Sequence, residues 1–241
     1  MSLTLFTYGS SWEVPDISPF CTKLHTYLRM AEVPYERGVG NPQQAPKGKL
    51  PYIKYNDELY ADTHFIIKFL EKELSLSFGS DLTPEQKAIS TAFQGMLEES
   101  FYFTAVYSRW VPTEAWKLYG PVLKGVLREA GAPGFLTHLI VPMIRRGVRK
   151  MLMAQGMGRH TKQEVVAIAT PQLDSISHYL GSKTFFFGNK PSPIDATVFA
   201  MLSAFRGSPI ASPIKTHLES LPNLCQYHDH ILQTYYPEIT G

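Results

Sequence analysis

At 241 residues, 44% hydrophobic and 18% charged, the chain is long enough for two domains or one large one, each with a sizeable core. Twenty-three basic residues against twenty-one acidic ones leave a formal net charge of +2, which gives no reason to expect nucleic acid or another polyanion as partner. Two cysteines, Cys21 and Cys225, are too few for a disulfide framework and point to a reducing, cytoplasmic setting.

The start of the chain lacks the charged and apolar regions of a secretory signal. The longest apolar run, from Gly134 to Ile144, is interrupted by His138 and Pro142 and falls far short of the roughly 20 residues that span a bilayer.

In chain order, Leu3 to Tyr8 reads as a strand that opens into a loop from Gly9 to Ile17. Ser18 is an N-cap type with Pro19 at the first helical position, and Phe20, Leu24, Leu28 and Ala31 follow at helical spacing. Val33 to Val39 predicts a second strand, parallel to the first, and Pro42 to Gly48 a loop or irregular helix. Tyr52 to Tyr55 and Glu58 to Ala61 predict a hairpin turning at Asn56-Asp57, and Thr63 to Leu74 a helix with Ile66, Phe69, Leu70 and Leu74 on one face. The pattern lapses between Ser75 and Leu82, so we divide the chain into residues 1–77 and 83–241. Thr83-Pro84-Glu85-Gln86 then restarts a helix with capping-box chemistry. Beyond it, helices are expected over Gln86 to Trp110, Trp116 to Ala130, Phe135 to Gln155, Thr161 to Leu180, Pro193 to Phe205 and Ile214 to Tyr235, with Pro171 kinking or dividing the fourth.

Three short segments carry chemistry. In Ser18-Pro19-Phe20-Cys21 a hydroxyl and a thiol lie on the first turn of a helix, where free N–H groups and the dipole stabilise an anion such as a thiolate. The same residues equally suit a plain cap and a small buried hydrophobe. Pro51 opens a strand, and a cis bond there exposes the main chain of Leu50 to an extended peptide, although only about 5–6% of such bonds are cis in folded proteins. Asp62-Thr63 either caps the following helix or holds a ligand, Thr63 taking an α-carboxylate and Asp62 an α-ammonium.

Together these segments resemble the glutathione transferase superfamily over nearly the whole chain. The resemblance implies an α/β thioredoxin-like N-terminal domain and an all-α C-terminal domain. It implies that Leu50, Pro51, Asp62 and Thr63 bind the cysteinyl backbone and γ-glutamyl end of glutathione, with Lys49 or Lys47 at the glycyl carboxylate and Cys21 near the sulfur. Gly188 to Ala196 is similar to the capping box that opens the family's core helix, so Ser192 and Asp195 are read as structural, worth roughly 1 kcal/mol or more each. Ser18 to Cys21, Tyr27 to Ala31 and Gln155 to His160 resemble the failed-axon-connections and metaxin-like branch. Relatives with a cysteine nucleophile place it where Ser18 stands, which speaks against that mechanism here.

Ser18 is therefore the expected activator of the glutathione thiol, with Tyr8, at the end of the first strand, competing for the role. Phe101, Tyr102, Phe103, Tyr107 and Trp110 form an aromatic face that belongs to the core or, through Tyr102, Tyr107 and Trp110, to a pocket for a small apolar electrophile, with Trp12 as a lid. Arg145, Arg146, Arg149 and Lys150 read as a solvated face; a membrane surface also fits their charge, but no anchor accompanies them. Tyr227-His228-Asp229-His230 reads as a polar helix face and no metal site is expected. The function implied is conjugation of reduced glutathione to an apolar electrophile, the alternatives being a non-enzymatic binding module or a thiol oxidoreductase acting through Cys21. A homodimer is the superfamily's expectation.

Overall fold

The computed structural model describes residues 2–240. Strands β1 (Leu3–Thr7), β2 (Glu36–Val39), β3 (Tyr52–Tyr55) and β4 (Glu58–Ala61) form one sheet in the order β2-β1-β3-β4. β1 and β2 run parallel with Leu5 opposite Arg37, while Leu5 faces Ile53 and Ile53 faces Tyr60 across antiparallel pairs. Alternation along β1 buries Leu3, Leu5 and Thr7 on one side. Asn56 and Asp57, both at positive φ, make the two-residue turn between β3 and β4 that the right-handed twist of the strands favours.

Helix α1 (Pro19–Met30) links the parallel strands and α2 (Thr63–Glu73) follows β4. Their apolar stripes, Leu24 and Leu28 on one and Ile66 and Leu70 on the other, close on Leu3, Leu5 and Ile53 of the sheet. β2 starts at Glu36 rather than Val33, because Glu32 takes a positive φ and the Val33 N–H returns to the Leu28 carbonyl to end α1.

The remaining elements are helical. α3 (Pro84–Met96) continues through a π turn (Leu97–Phe101) into α4 (Tyr102–Trp110), followed by α5 (Thr113–Glu129), α6 (Gly134–Gln155), a 3₁₀ turn (Met157–Arg159) and α7 (Lys162–Leu180). Then come α8 (Pro193–Arg206), α9 (Pro213–Glu219), α10 (Pro222–Tyr235) and the single turn α11 (Pro237–Thr240). The helix expected from Ile214 to Tyr235 is thus two helices, since Pro222 holds Leu221 in an extended conformation. Pro171 does not divide α7: its ring and the carbonyl of Ala167, which loses its N–H partner, both lie on the exposed side.

α8 is buried from Ile194 to Phe205 and packs directly on α1. Its opening is a hub: the Asp195 carboxylate accepts from the Phe186 N–H (2.7 Å), the Ser192 N–H (2.8 Å), the Ser192 hydroxyl (2.7 Å) and the Tyr227 hydroxyl (2.8 Å). At its other end Gly207 abuts the loop after β1, where an added Cβ would lie 2.4 Å from Val14 Cγ1 and 2.8 Å from the Glu13 carbonyl oxygen. Gly207→Ala is therefore expected to cost about 1–3 kcal/mol in thermal or urea unfolding, because a backbone atom has to move; a wild-type midpoint would contradict this contact.

The end of the chain is tied back to α1. Arg29 donates to the Tyr235 carbonyl and to Glu238 (2.6 Å), and the Tyr236 hydroxyl lies 2.8 Å from Thr26 Oγ1.

Candidate functional site

The loop after β1 is organised by Asp16, 3% exposed. Its carboxylate accepts from the N–H of Gly9 (2.7 Å) and of Ser18 (2.9 Å), and its carbonyl from the Thr22 hydroxyl (3.2 Å), so both ends of the loop and the start of α1 are held by one residue. Burial pushes its pKa up to about 6 against the opposing pull of the Ser18 and Gly9 N–H groups. Arg109 of α4 steadies the same loop from outside, donating to the Ile17 carbonyl (2.6 Å) and to the Ala204 carbonyl of α8 (3.1 Å). Its guanidinium also lies between the rings of Trp12 and Tyr119, 5.9 and 5.2 Å away. Trp12 is accordingly not a free lid but a half-buried ring fixed by that cation and by Tyr119.

Ser18 caps α1, its Oγ accepting from the Cys21 N–H at 3.4 Å, and it stays partly exposed. Cys21 is closed off completely. Its thiol faces the Ser18 hydroxyl and the Tyr8 N–H, and burial together with the nearby Asp16 carboxylate raises its pKa well above the ordinary thiol range. The expectation that Cys21 contacts a ligand is corrected by this packing, and a mixed-disulfide mechanism finds there neither access nor thiolate.

Cys21 packs instead with Leu50, Ala45 and Tyr52, against which Tyr8 and Ala61 rest. This small cluster draws together the end of β1, the first turn of α1, the residue before Pro51 and the residue before Asp62. Tyr8 directly follows β1, half-buried; burial above all, with smaller contributions from Cys21, Tyr119, Asp16 and Tyr102, raises its pKa. Its phenol remains protonated at neutral pH and acts as a donor, not a base.

The Leu50–Pro51 bond is cis, and both residues are buried. Among the described residues no group takes up the N–H or the carbonyl of Leu50. Lys49 is exposed, while the Lys47 ammonium sits 4.4 Å over the ring of Phe65 on α2. Asp62 caps α2 through the His64 N–H (3.0 Å). Thr63, the first residue of α2, is buried, and its hydroxyl accepts from Lys23 Nζ at 3.2 Å; the same ammonium meets Glu98 of the π turn at 2.5 Å.

The aromatic residues divide differently from expectation. Tyr102 stands edge-on to Phe20 of α1 at 4.9 Å and faces Tyr8. Tyr107 lies in the main core. Trp110 packs on Trp116 and Tyr119, at 5.5 and 5.0 Å. The apolar wall is therefore Tyr102, Tyr8, Trp12 and Tyr119, of which Tyr119 carries no local signal in the sequence because α5 brings it in from a distance.

Arg145 is not part of a solvated face: it donates to the carbonyls of Trp110 (3.0 Å) and Val111 (3.1 Å) and covers the Trp116 ring, leaving Arg146, Arg149 and Lys150 exposed. The polar face expected at Tyr227 to His230 is also corrected, since Tyr227 and His228 are buried. His228 bridges Ser203 (3.0 Å) and Asp229 (3.1 Å) in the order of a hydrolase triad, but the Ser203 hydroxyl donates to the Phe199 carbonyl and the trio is closed to substrate. Among the described residues no group of three or more His, Cys, Asp or Glu side chains is placed to hold a metal, and no helix is long and apolar enough to cross a membrane.

Comparison with known proteins bears on this geometry. Residues 19–115 match the glutathione S-transferase N-terminal domain and residues 169–231 the glutathione S-transferase C-terminal domain. The chain is 28% identical over 239 residues to the isoprene-epoxide–glutathione S-transferase of Rhodococcus sp. (strain AD45), covering 97% of this chain and 99% of that one. It is 30% identical to metaxin-1 of Macaca fascicularis, covering 98% and 75%, and 30% identical to failed axon connections of Drosophila melanogaster, of which it spans 58%. The β-etherase LigF of Sphingobium sp. strain SYK-6 superposes with a TM-score of 0.67 over 100% of this chain and 99% of its own, at 15% identity, and so shares the fold. Domain matches at both ends, a shared fold and near-full-length relatives agree: the chain belongs to the glutathione S-transferase superfamily, beside metaxin and failed axon connections.

Proposed function

We propose that the protein binds reduced glutathione with its cysteinyl main chain along Leu50 and its γ-glutamyl end at Thr63, and conjugates the thiol to a small apolar electrophile. The observation that carries this reading is the cluster of Tyr8, Cys21, Leu50 and Ala61, which brings the start of α1, the unpaired main chain of Leu50 and the residue ahead of Asp62 next to one another. There the Ser18 hydroxyl, the Phe20 N–H and the positive end of α1 favour the thiolate, and the ring of Tyr102 supplies an apolar wall for the acceptor. The relative named for isoprene epoxide and glutathione supports the same reaction class. Both cysteines are free thiols, in keeping with a reducing, cytoplasmic setting, and a homodimer belongs to the same reading.

Calorimetry with reduced glutathione and conjugation of an aryl halide test the proposal. Ser18→Ala is expected to lower kcat/KM roughly 10- to 100-fold with little change in glutathione affinity, and Tyr8→Phe to lower it by about threefold or less. Turnover unchanged in Ser18→Ala removes that residue's role, and absence of glutathione binding by the wild type removes the reading. A binding module without turnover is the second reading, favoured by the engagement of Ser18 as the cap of α1; tight binding with no conjugation of any electrophile would establish it.

A further inference from the structure

Lys23 is the buried charge that the reaction outlined above leaves unused. It lies on the second turn of α1 at 2% exposure, a setting that lysine almost never occupies without partners. Glu98, across the space between α1 and the π turn, balances its charge at 2.5 Å. That pair accounts for the charge but not for the second contact, 3.2 Å to Thr63 Oγ1.

The direction of that second bond is set by chemistry. An ammonium has protons and no lone pair, so the Thr63 hydroxyl is the acceptor and its own proton turns elsewhere. Thr63 is only 5% exposed and opens α2, so no preceding helical turn offers it a carbonyl; among the described residues nothing accepts that proton. Beside it, Asp62 occupies only the His64 N–H in the first turn of α2, and no group takes the N–H of Thr63 or of Phe65. A buried hydroxyl locked as a donor, an ammonium behind it and two free N–H groups converge on one kind of ligand group, a carboxylate.

We propose that Lys23 is a positioning residue for glutathione binding: it orients the Thr63 hydroxyl toward the α-carboxylate of the γ-glutamyl end and, through that hydroxyl, selects peptides that carry the carboxylate. The inference rests on the proposed binding of glutathione. Glu98 holds the ammonium in place and keeps the buried site neutral until the ligand enters.

The test compares glutathione with 4-aminobutyryl-cysteinylglycine, which lacks only that carboxylate, by calorimetry. The wild type is expected to bind the analogue about 30-fold more weakly, the scale of one charge-assisted hydrogen bond. In the double variant Lys23→Met/Glu98→Leu, which removes both buried charges together and so strands neither, glutathione is expected to weaken about tenfold while the analogue is unchanged, shrinking the ratio to about threefold. Thr63→Val, which leaves the ion pair in place, is expected to shrink it likewise, and Lys23→Arg to retain most of it. A merely structural role would weaken both ligands in parallel. Parallel loss, or an undiminished ratio in a folded double variant, overturns the inference while the reading of the site stands; should the double variant not fold, an undiminished ratio in Thr63→Val overturns it. Failure of the wild type to bind glutathione at all removes the reading and the inference together.

Discussion

Asp195→Ala is expected to lower the free energy of unfolding by about 4 kcal/mol, read as a fall in the urea midpoint at unchanged slope. As a helix cap the residue would be worth only about 1 kcal/mol. The structure gives it more to do: at 0% exposure it also receives the Phe186 N–H ahead of α8 and the Tyr227 hydroxyl of α10, so its removal strands three donors in the interior and leaves the Tyr227 hydroxyl only the carbonyl of residue 195, at 3.3 Å. Each buried donor left without a partner costs about 1–3 kcal/mol before relaxation. Asp195→Asn recovers only part of the loss, because its amide nitrogen meets donors from Ser192. A loss of 1 kcal/mol or less would show that the carboxylate acts as an ordinary cap.

Asp16 provides the second large effect, and its sign is unusual for an acid. Burial holds its folded pKa at about 6, above the ordinary value near 3.9 of an unfolded chain. Between those values the native protein keeps a proton that the unfolded chain has released, so this group's contribution is fully present below about pH 4 and is lost as pH rises through 6. The wild type is accordingly expected to lose about 3 kcal/mol relative to Asp16→Asn between pH 4 and 7, of which the difference between the two urea midpoints is the measure. Taking the difference cancels the opposite trend of acids whose pKa the fold lowers, such as Asp229 and Glu238. A gap between the two proteins that stays constant over that range would show that Asp16 stays charged throughout, stabilised by the N–H groups of Gly9 and Ser18.

What the sequence makes legible is local. The β-rich run from Leu3 to Tyr8, the spacing of Phe20, Leu24 and Leu28, the Asn56-Asp57 turn and the capping boxes at Thr83 and Ser192 each act within a few residues, and each has its counterpart in the structure. The interior of the site is assembled by contacts across long separations, and these leave no local trace: Lys23 reaches Thr63 and Glu98, and Arg109 reaches Ile17 and Ala204. Cys21 stays open between two readings in the sequence for a related reason. A residue on the first turn of a helix faces either the ligand or the sheet, and only the packing of Leu50 and Tyr52 against it decides. Asp16 is the exception, because an aspartate two residues ahead of Ser18 is a local signal, well placed to accept that residue's N–H.

The turn from Leu97 to Phe101, closed by the Tyr102 N–H on the Leu97 carbonyl, holds one residue more than an ordinary helical turn. Its effect is one of phase. A single extra residue rotates everything after it by about 100° relative to what precedes it, and so sets where Arg109, two turns further on at Ile17 and Ala204, points while Glu98 meets Lys23. Loss of one codon here would leave the remaining side chains unchanged and yet swing Arg109 away from Ile17 and Ala204 while Glu98 stayed on Lys23. In this stretch of the gene, length is constrained more tightly than spelling.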